Sequence, residues 1–209
     1  MYTRFIGLAV TTAALTLSFA TTTSAQQTVP DPRTVPELQS EFARAEKMGL
    51  PVEPLVAMAR KGYWQDASDK QIRDAVRGYA RRIERARTAL RPARPAEMLA
   101  GADALNAGVP ERVLKSLRAA ARTRSIEVPL GVLTELVSRG VPVANAAEGV
   151  ETLLKREALD AQMIALGNDV LGDVAAGVAP TVALDIRSQG VLSLLPAPGQ
   201  AALVAPNRR

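Results

Sequence analysis

The 209-residue chain contains no histidine and no cysteine. Those two side chains supply most nucleophile–base pairs, zinc and haem ligands and redox centres, so chemistry built on them is excluded. Lack of cysteine suits an exported protein that avoids stray oxidation, although it fixes no compartment. Aromatic residues make up only 3% of the sequence, with a single tryptophan. Alanine and aliphatic side chains must therefore fill the interior, and small alanine faces let helices approach closely.

With 47% hydrophobic and 22% charged residues, the composition is that of a globular chain with one substantial core. The amino terminus stands apart. Met1 to Arg4 is a short n-region, Phe5 to Ala20 an apolar h-region diluted with threonine, and Thr23-Ser24-Ala25 a small-residue cleavage site. This pattern predicts a signal peptide over residues 1–25, cut after Ala25, and a periplasmic or secreted mature protein. The strongly apolar part is shorter than the ~20 residues a membrane span needs. Cleavage removes Arg4 and lowers the formal net charge of +5 by one. No later stretch could cross a bilayer.

What the mature chain has is punctuation. Four times an apolar run ends in glycine, an aliphatic residue and a nearby proline: Gly49-Leu50-Pro51, Gly108-Val109-Pro110, Gly140-Val141-Pro142 and the looser Gly177-Val178-Ala179-Pro180. Glycine takes the left-handed conformation that closes a helix. The aliphatic residue folds back on the last turn, and proline suits the start of the next helix.

After a flexible leader over residues 26–35, apolar positions recurring at three and four residues predict nine helices. They run over 36–48, 51–61, 69–91, 96–107, 110–122, 130–139, 142–155, 158–176 and 180–188. Gly62 closes the second, and Ser68 with Gln71 makes a capping-box start for the third. On that longest helix, Ile72, Val76, Tyr79, Ile83, Ala86 and Leu90 form one narrow seam. Residues 92–95 form a linker between helices 36–91 and the hairpins over 96–190, and residues 191–209 read as a disordered tail. The expected fold is all-α: a stack of αα-hairpins joined at Gly-Val/Leu-Pro turns with one long basic helix, as a compact bundle rather than an extended solenoid.

Two surface features are candidate sites. Arg73, Arg77, Arg81 and Arg85 follow at i, i+4 on the long helix, and between Arg60 and Arg94 eleven basic residues face four acidic ones. Such a stripe attracts phosphates or carboxylates, which the arginine fork can hold bidentately. Its simpler reading is a solvated face, yet like charges four apart repel by a few tenths of a kcal/mol, roughly 0.2–0.5 per pair. Tyr63 and Trp64 form the second candidate, an aromatic pair that either anchors a partner or plugs the end of the core.

Catalytic material is thin: the acid pairs Glu148/Glu151 and Asp169/Asp173 read most simply as surface charges, and no metal or cofactor motif is present. The sequence therefore points to an exported, non-enzymatic binding or structural module of the cell envelope. Its expected partner is an envelope protein, an anionic polymer or lipid head groups, and the export signal argues against nucleic acid. The alternatives are peripheral binding to an anionic surface through the 69–91 arginine face, and a carboxylate-dependent hydrolase or lyase of cell-wall polysaccharide.

Overall fold

The computed structural model describes residues 30–195. The signal segment, most of the leader and the tail from residue 196 onward lie outside the described residues. Among the described residues there are nine α-helices, one short 3-10 turn (Pro32–Thr34) and no strand. The helices are α1 (Pro36–Lys47), α2 (Glu53–Trp64), α3 (Asp69–Ala89), α4 (Pro95–Asn106), α5 (Glu111–Ala121), α6 (Glu127–Ser138), α7 (Val143–Lys155), α8 (Asp160–Ala175) and α9 (Pro180–Leu194).

The four glycine junctions all close helices. Gly49, Gly108, Gly140 and Gly177 sit at φ 67°, 92°, 92° and 95°. At the third, Gly140 N donates to the Val137 carbonyl at 3.0 Å and Val141 N reaches back to the Leu136 carbonyl at 3.0 Å. Leu50, Val109 and Val178 make the same return bond to Ala45, Ala104 and Asp173. This is the Schellman arrangement, in which the residue after the glycine satisfies a carbonyl of the last turn. Val109 and Val141 are both 2% exposed, so each junction also contributes a side chain to the core.

Three further helices close on a non-glycine residue at positive φ. Asp66, Arg122 and Glu157 carry φ values of 53°, 54° and 58° at the turns into α3, α6 and α8. A residue with a Cβ at positive φ costs about 1 kcal/mol or more.

Several boundaries move. Gly62 lies inside α2 rather than ending it, because a Cβ there would fall 2.7 Å from Ile72 Cγ1. Glycine at that position lets α2 lie close against α3. Tyr63 and Trp64 therefore belong to the last turn of α2. α6 starts at Glu127, three residues earlier than the pattern suggests, since Pro129 is tolerated in its first turn. α9 continues through Gly190 to Leu194, so residues 191–194 are helical rather than part of a tail.

The long helix organises the first half of the molecule. All six seam residues of α3 are buried, and α3 packs on α1, α2, α4 and α5. Full burial of an aliphatic side chain contributes roughly 1.5–3 kcal/mol. On the opposing helix, Gly101 admits this seam: a Cβ there would sit 2.8 Å from Leu90 Cδ1 and 2.9 Å from Ala86 Cβ.

Beyond α3 the helices form two layers. α4, α6 and α8 pack in succession in one, and α3, α5, α7 and α9 in the other. Ile126 at the start of α6 donates to Glu97 at the start of α4, and Arg124 reaches the Ala158 carbonyl and Asp160 at the start of α8. The starts of these helices therefore lie together, so each layer runs parallel. Every principal contact joins helices no more than two positions apart in the chain, while the buried side chains form one continuous apolar cluster. The hairpin stack expected from the glycine junctions is the architecture observed.

Candidate functional site

The four arginines of α3 do not face solvent as one stripe. A helix turns about 100° per residue, so positions four apart drift by about 40° at each step. The row starting at Arg73 consequently winds from the α1 side of α3 toward the α5 side. Arg77 donates through Nε to Glu41 Oε1 of α1 at 2.9 Å and through Nη2 to the same oxygen. The hydrogen bonds and negative charge of Glu41 raise Arg77 further above its ordinary value. Arg85 pairs with Glu111 of α5 at 2.7 Å, and nearby Arg87 donates to the Met48 carbonyl, closing the end of α1. Arg73 is half-buried, and Arg81 is exposed and makes no ion pair among the described residues. The charges at Arg77 and Arg85 thus serve as ties between helices.

The aromatic pair separates in role. Tyr63 is half-buried, and its hydroxyl donates to Asp69 Oδ1 at 3.3 Å across the α2–α3 turn. Burial first, then the neighbouring Asp69 charge, pushes Tyr63 upward, which keeps the hydroxyl a donor. Trp64 is 72% exposed. It does not plug the core.

A prominent concavity has no counterpart in either feature. An open groove of about 750 Å³ lies between α5 and α7. The helices are parallel, for Gly108 and Pro110 meet Val143 and Ala144 at one end of the pair, while Ala121 and Arg122 meet Leu154 and Glu157 at the other. Val113, Val143, Ala144 and Ala147 give the groove an apolar lining, and Arg112, Glu148, Glu151 and Lys155 its charged rim.

Both acids singled out from the α7 sequence, Glu148 and Glu151, border this groove. Glu151 is engaged at both oxygens: Lys155 Nζ lies 2.6 Å from Oε1 and the Ser116 hydroxyl donates to Oε2 at 2.6 Å. The Lys155 bond, followed by that of Ser116, holds the Glu151 carboxyl below its ordinary range. It is a poor proton donor and a weak base for Ser116. Arg112 and Glu148 are exposed and make no ion pair among the described residues. The groove can therefore offer a mixed seat, in which small apolar side chains alternate with polar ones, with one free positive and one free negative charge. No family model, curated protein or solved structure matches the chain.

The second acid pair of the sequence is structural. Arg187 of α9 donates to both Asp173 oxygens at 2.6 and 2.7 Å and lies 3.8 Å from Asp169. Its hydrogen bonds hold Asp173 below the ordinary carboxylate range. Among the described residues no cluster of three or more acidic side chains could hold a metal ion, and no helix is long and apolar enough to cross a membrane.

One polar cluster went unread in the sequence. Glu97, 2% exposed, accepts from Arg94 N at 2.8 Å, Ile126 N at 3.1 Å and Arg118 Nη1 at 3.0 Å. Arg118 in turn donates to the carbonyls of Arg122 and Arg124. The cluster stitches α4 and α5 to the loop before α6, and with Glu97 buried its role is architectural. Its available signal is a glutamate three residues past a helix start, Arg94-Pro95-Ala96-Glu97, without the usual serine or threonine cap.

Proposed function

We propose that the chain is an exported, non-enzymatic helical binding module of the cell envelope, and that it holds a protein partner in the groove between α5 and α7. The observation that carries this reading is the groove, with its mixed polar and apolar lining and two unpaired rim charges. Ligand seats are usually concave and orient their ligand through a few placed polar groups. A segment lying between two parallel helices would cover Val113 and Ala147 while its own charges met Arg112 and Glu148. Export is supported by the n-region, h-region and Thr23-Ser24-Ala25. A binding role over catalysis is supported by the absence of histidine and cysteine and by the low, doubly engaged Glu151 carboxyl.

The α3 arginine face is the lesser candidate, because Arg77 and Arg85 are already neutralised by Glu41 and Glu111. The polysaccharide hydrolase is weaker still. Glu148 and Glu151 lie on the same helix, whereas glycosidase chemistry needs two carboxyl groups flanking the bond, one of them raised so that it can donate a proton.

The test is affinity capture from envelope extract by the mature chain, residues 26–209, and by Ala144→Trp. Ala144 is exposed and borders the groove, so an indole there fills the seat without entering the core. Loss of the captured species with Ala144→Trp and its retention with Arg81→Glu is the expected result. Capture indifferent to Ala144→Trp rejects the groove.

A further inference from the structure

Trp64 is the only tryptophan of the chain and lies 72% exposed. It ends α2, and the exposed face of that helix carries Arg60 and Lys61 one turn earlier. Residues three and four apart share a helix face, so the indole and the two cations form one patch. None of these three side chains has a hydrogen bond, ion pair or ring contact among the described residues.

The platform beneath the patch is fixed. Gly62 seats α2 against Ile72, Tyr63 is tied to Asp69, and Ser68 and Gln71 exchange the reciprocal bonds that start α3. Side chains held on a fixed platform lose little further backbone freedom on binding. The negative charges near the patch are Asp66 in the turn, Asp69, which is engaged by Tyr63, and Glu37 of α1, whose charge reaches Tyr63.

We infer that this end of α2 is a docking site for an anionic lipid surface, with Trp64 seated at head-group depth and Arg60 and Lys61 on the lipid phosphates. Tryptophan is the side chain best suited to the membrane–water boundary, since its ring is apolar and its N–H needs a wet neighbour. Arginine and lysine lay their methylene stems along the apolar layer while their charged ends reach outward. Basic residues near an anionic leaflet each strengthen binding by about fivefold. This docking site is separate from the α5–α7 groove, and neither reading requires the other.

The experiment uses the mature chain and vesicles made of equal parts phosphatidylglycerol and phosphatidylcholine, with pure phosphatidylcholine vesicles and soluble heparin as comparisons. Because Trp64 is the sole indole, tryptophan emission reports this site alone. The expected result is a shift of emission to shorter wavelength with the anionic vesicles only, reversed by salt. Arg60→Glu combined with Lys61→Glu lowers partitioning by at least about 25-fold, whereas Arg81→Glu leaves it unchanged. Trp64→Ala, followed by co-sedimentation, also binds more weakly. All these positions are exposed, and far-ultraviolet circular dichroism checks that each variant keeps its helices. No shift with anionic vesicles, a shift that survives the double reversal, or an equal shift with heparin or pure phosphatidylcholine overturns the inference; the heparin outcome would assign the patch to an acidic polymer instead.

Discussion

Replacing Glu97 probes a buried carboxylate engaged by three donors. Its carboxylate accepts from two backbone N–H groups and from Arg118, and the side chains of Glu97 and Arg118 are 3% and 13% exposed. Glu97→Ala removes all three bonds and leaves a mostly buried guanidinium with only the carbonyls of Arg122 and Arg124. Breaking a buried pair from one side costs about 3–5 kcal/mol, and the lost restraint at the start of α4 falls within that range. Against a total stability of about 5–15 kcal/mol this is a large fraction. At about 2–4 °C per kcal/mol for a chain of this length, a loss of about 4 kcal/mol lowers Tm by roughly 8–16 °C. Glu97→Gln keeps the shape and one acceptor oxygen but turns an NH2 toward another donor, at about 2 kcal/mol.

Urea unfolding followed by far-ultraviolet circular dichroism measures both variants. Acid adds an independent check. Burial alone would raise the Glu97 carboxyl, but the N–H groups of Arg94 and Ile126, with Arg118, hold it below its usual range. A folded value below the unfolded one contributes stability that is complete above about pH 4.3 and disappears as pH falls through the folded value. The gap between wild type and Glu97→Gln should therefore be constant near neutrality and narrow in acid. Two variants within about 0.5 kcal/mol of wild type, or a gap that persists in acid, would refute the assignment.

Other outcomes follow from single side chains. Arg77→Ala leaves the mostly buried Glu41 without its partner and should cost about 2 kcal/mol, whereas Arg81→Ala should stay within about 0.5 kcal/mol by the same unfolding assay. Equal effects would show that the α3 arginines are equivalent after all. Gly101→Ala drives a methyl group into Leu90 and Ala86, so a strain of about 1–3 kcal/mol outweighs its gain in helix propensity. Gly172→Ala meets nothing within 4 Å in α8 and should stabilise by about 0.5–1 kcal/mol; thermal melts of the two variants should move in opposite directions.

What the sequence made legible was local. Gly140 and Val141 announce a helix end through bonds spanning six residues, and the Ile72-to-Leu90 seam announces a buried face through spacing alone. Ser68 and Gln71 likewise declare the start of α3 within four positions. Features made by distant pairs were not legible. Gly62 reads as a stop until Ile72 is seen against it, and Leu159, periodic with its neighbours, is 65% exposed at the edge of α8.

The sites divide in the same way. The i, i+4 row of arginines was plain, but nothing in that row reveals Glu41 or Glu111 on other helices. The α5–α7 groove depends on how two hairpins lie beside each other, and its only local trace was the Glu148/Glu151 pair. Trp64 was visible as a lone indole; its exposure was set by α2 continuing past Gly62, which carries the ring off the end of the core.

Neighbour-only packing has a mechanical consequence. Because every principal contact joins helices no more than two positions apart, loosening one extremity takes little support from the other, and the stack can fray inward helix by helix while its middle holds. The clasp formed by Glu97, Arg118 and Ile126 lies where such fraying from either direction would have to pause, so a protease should trim the extremities before it divides the stack at α4.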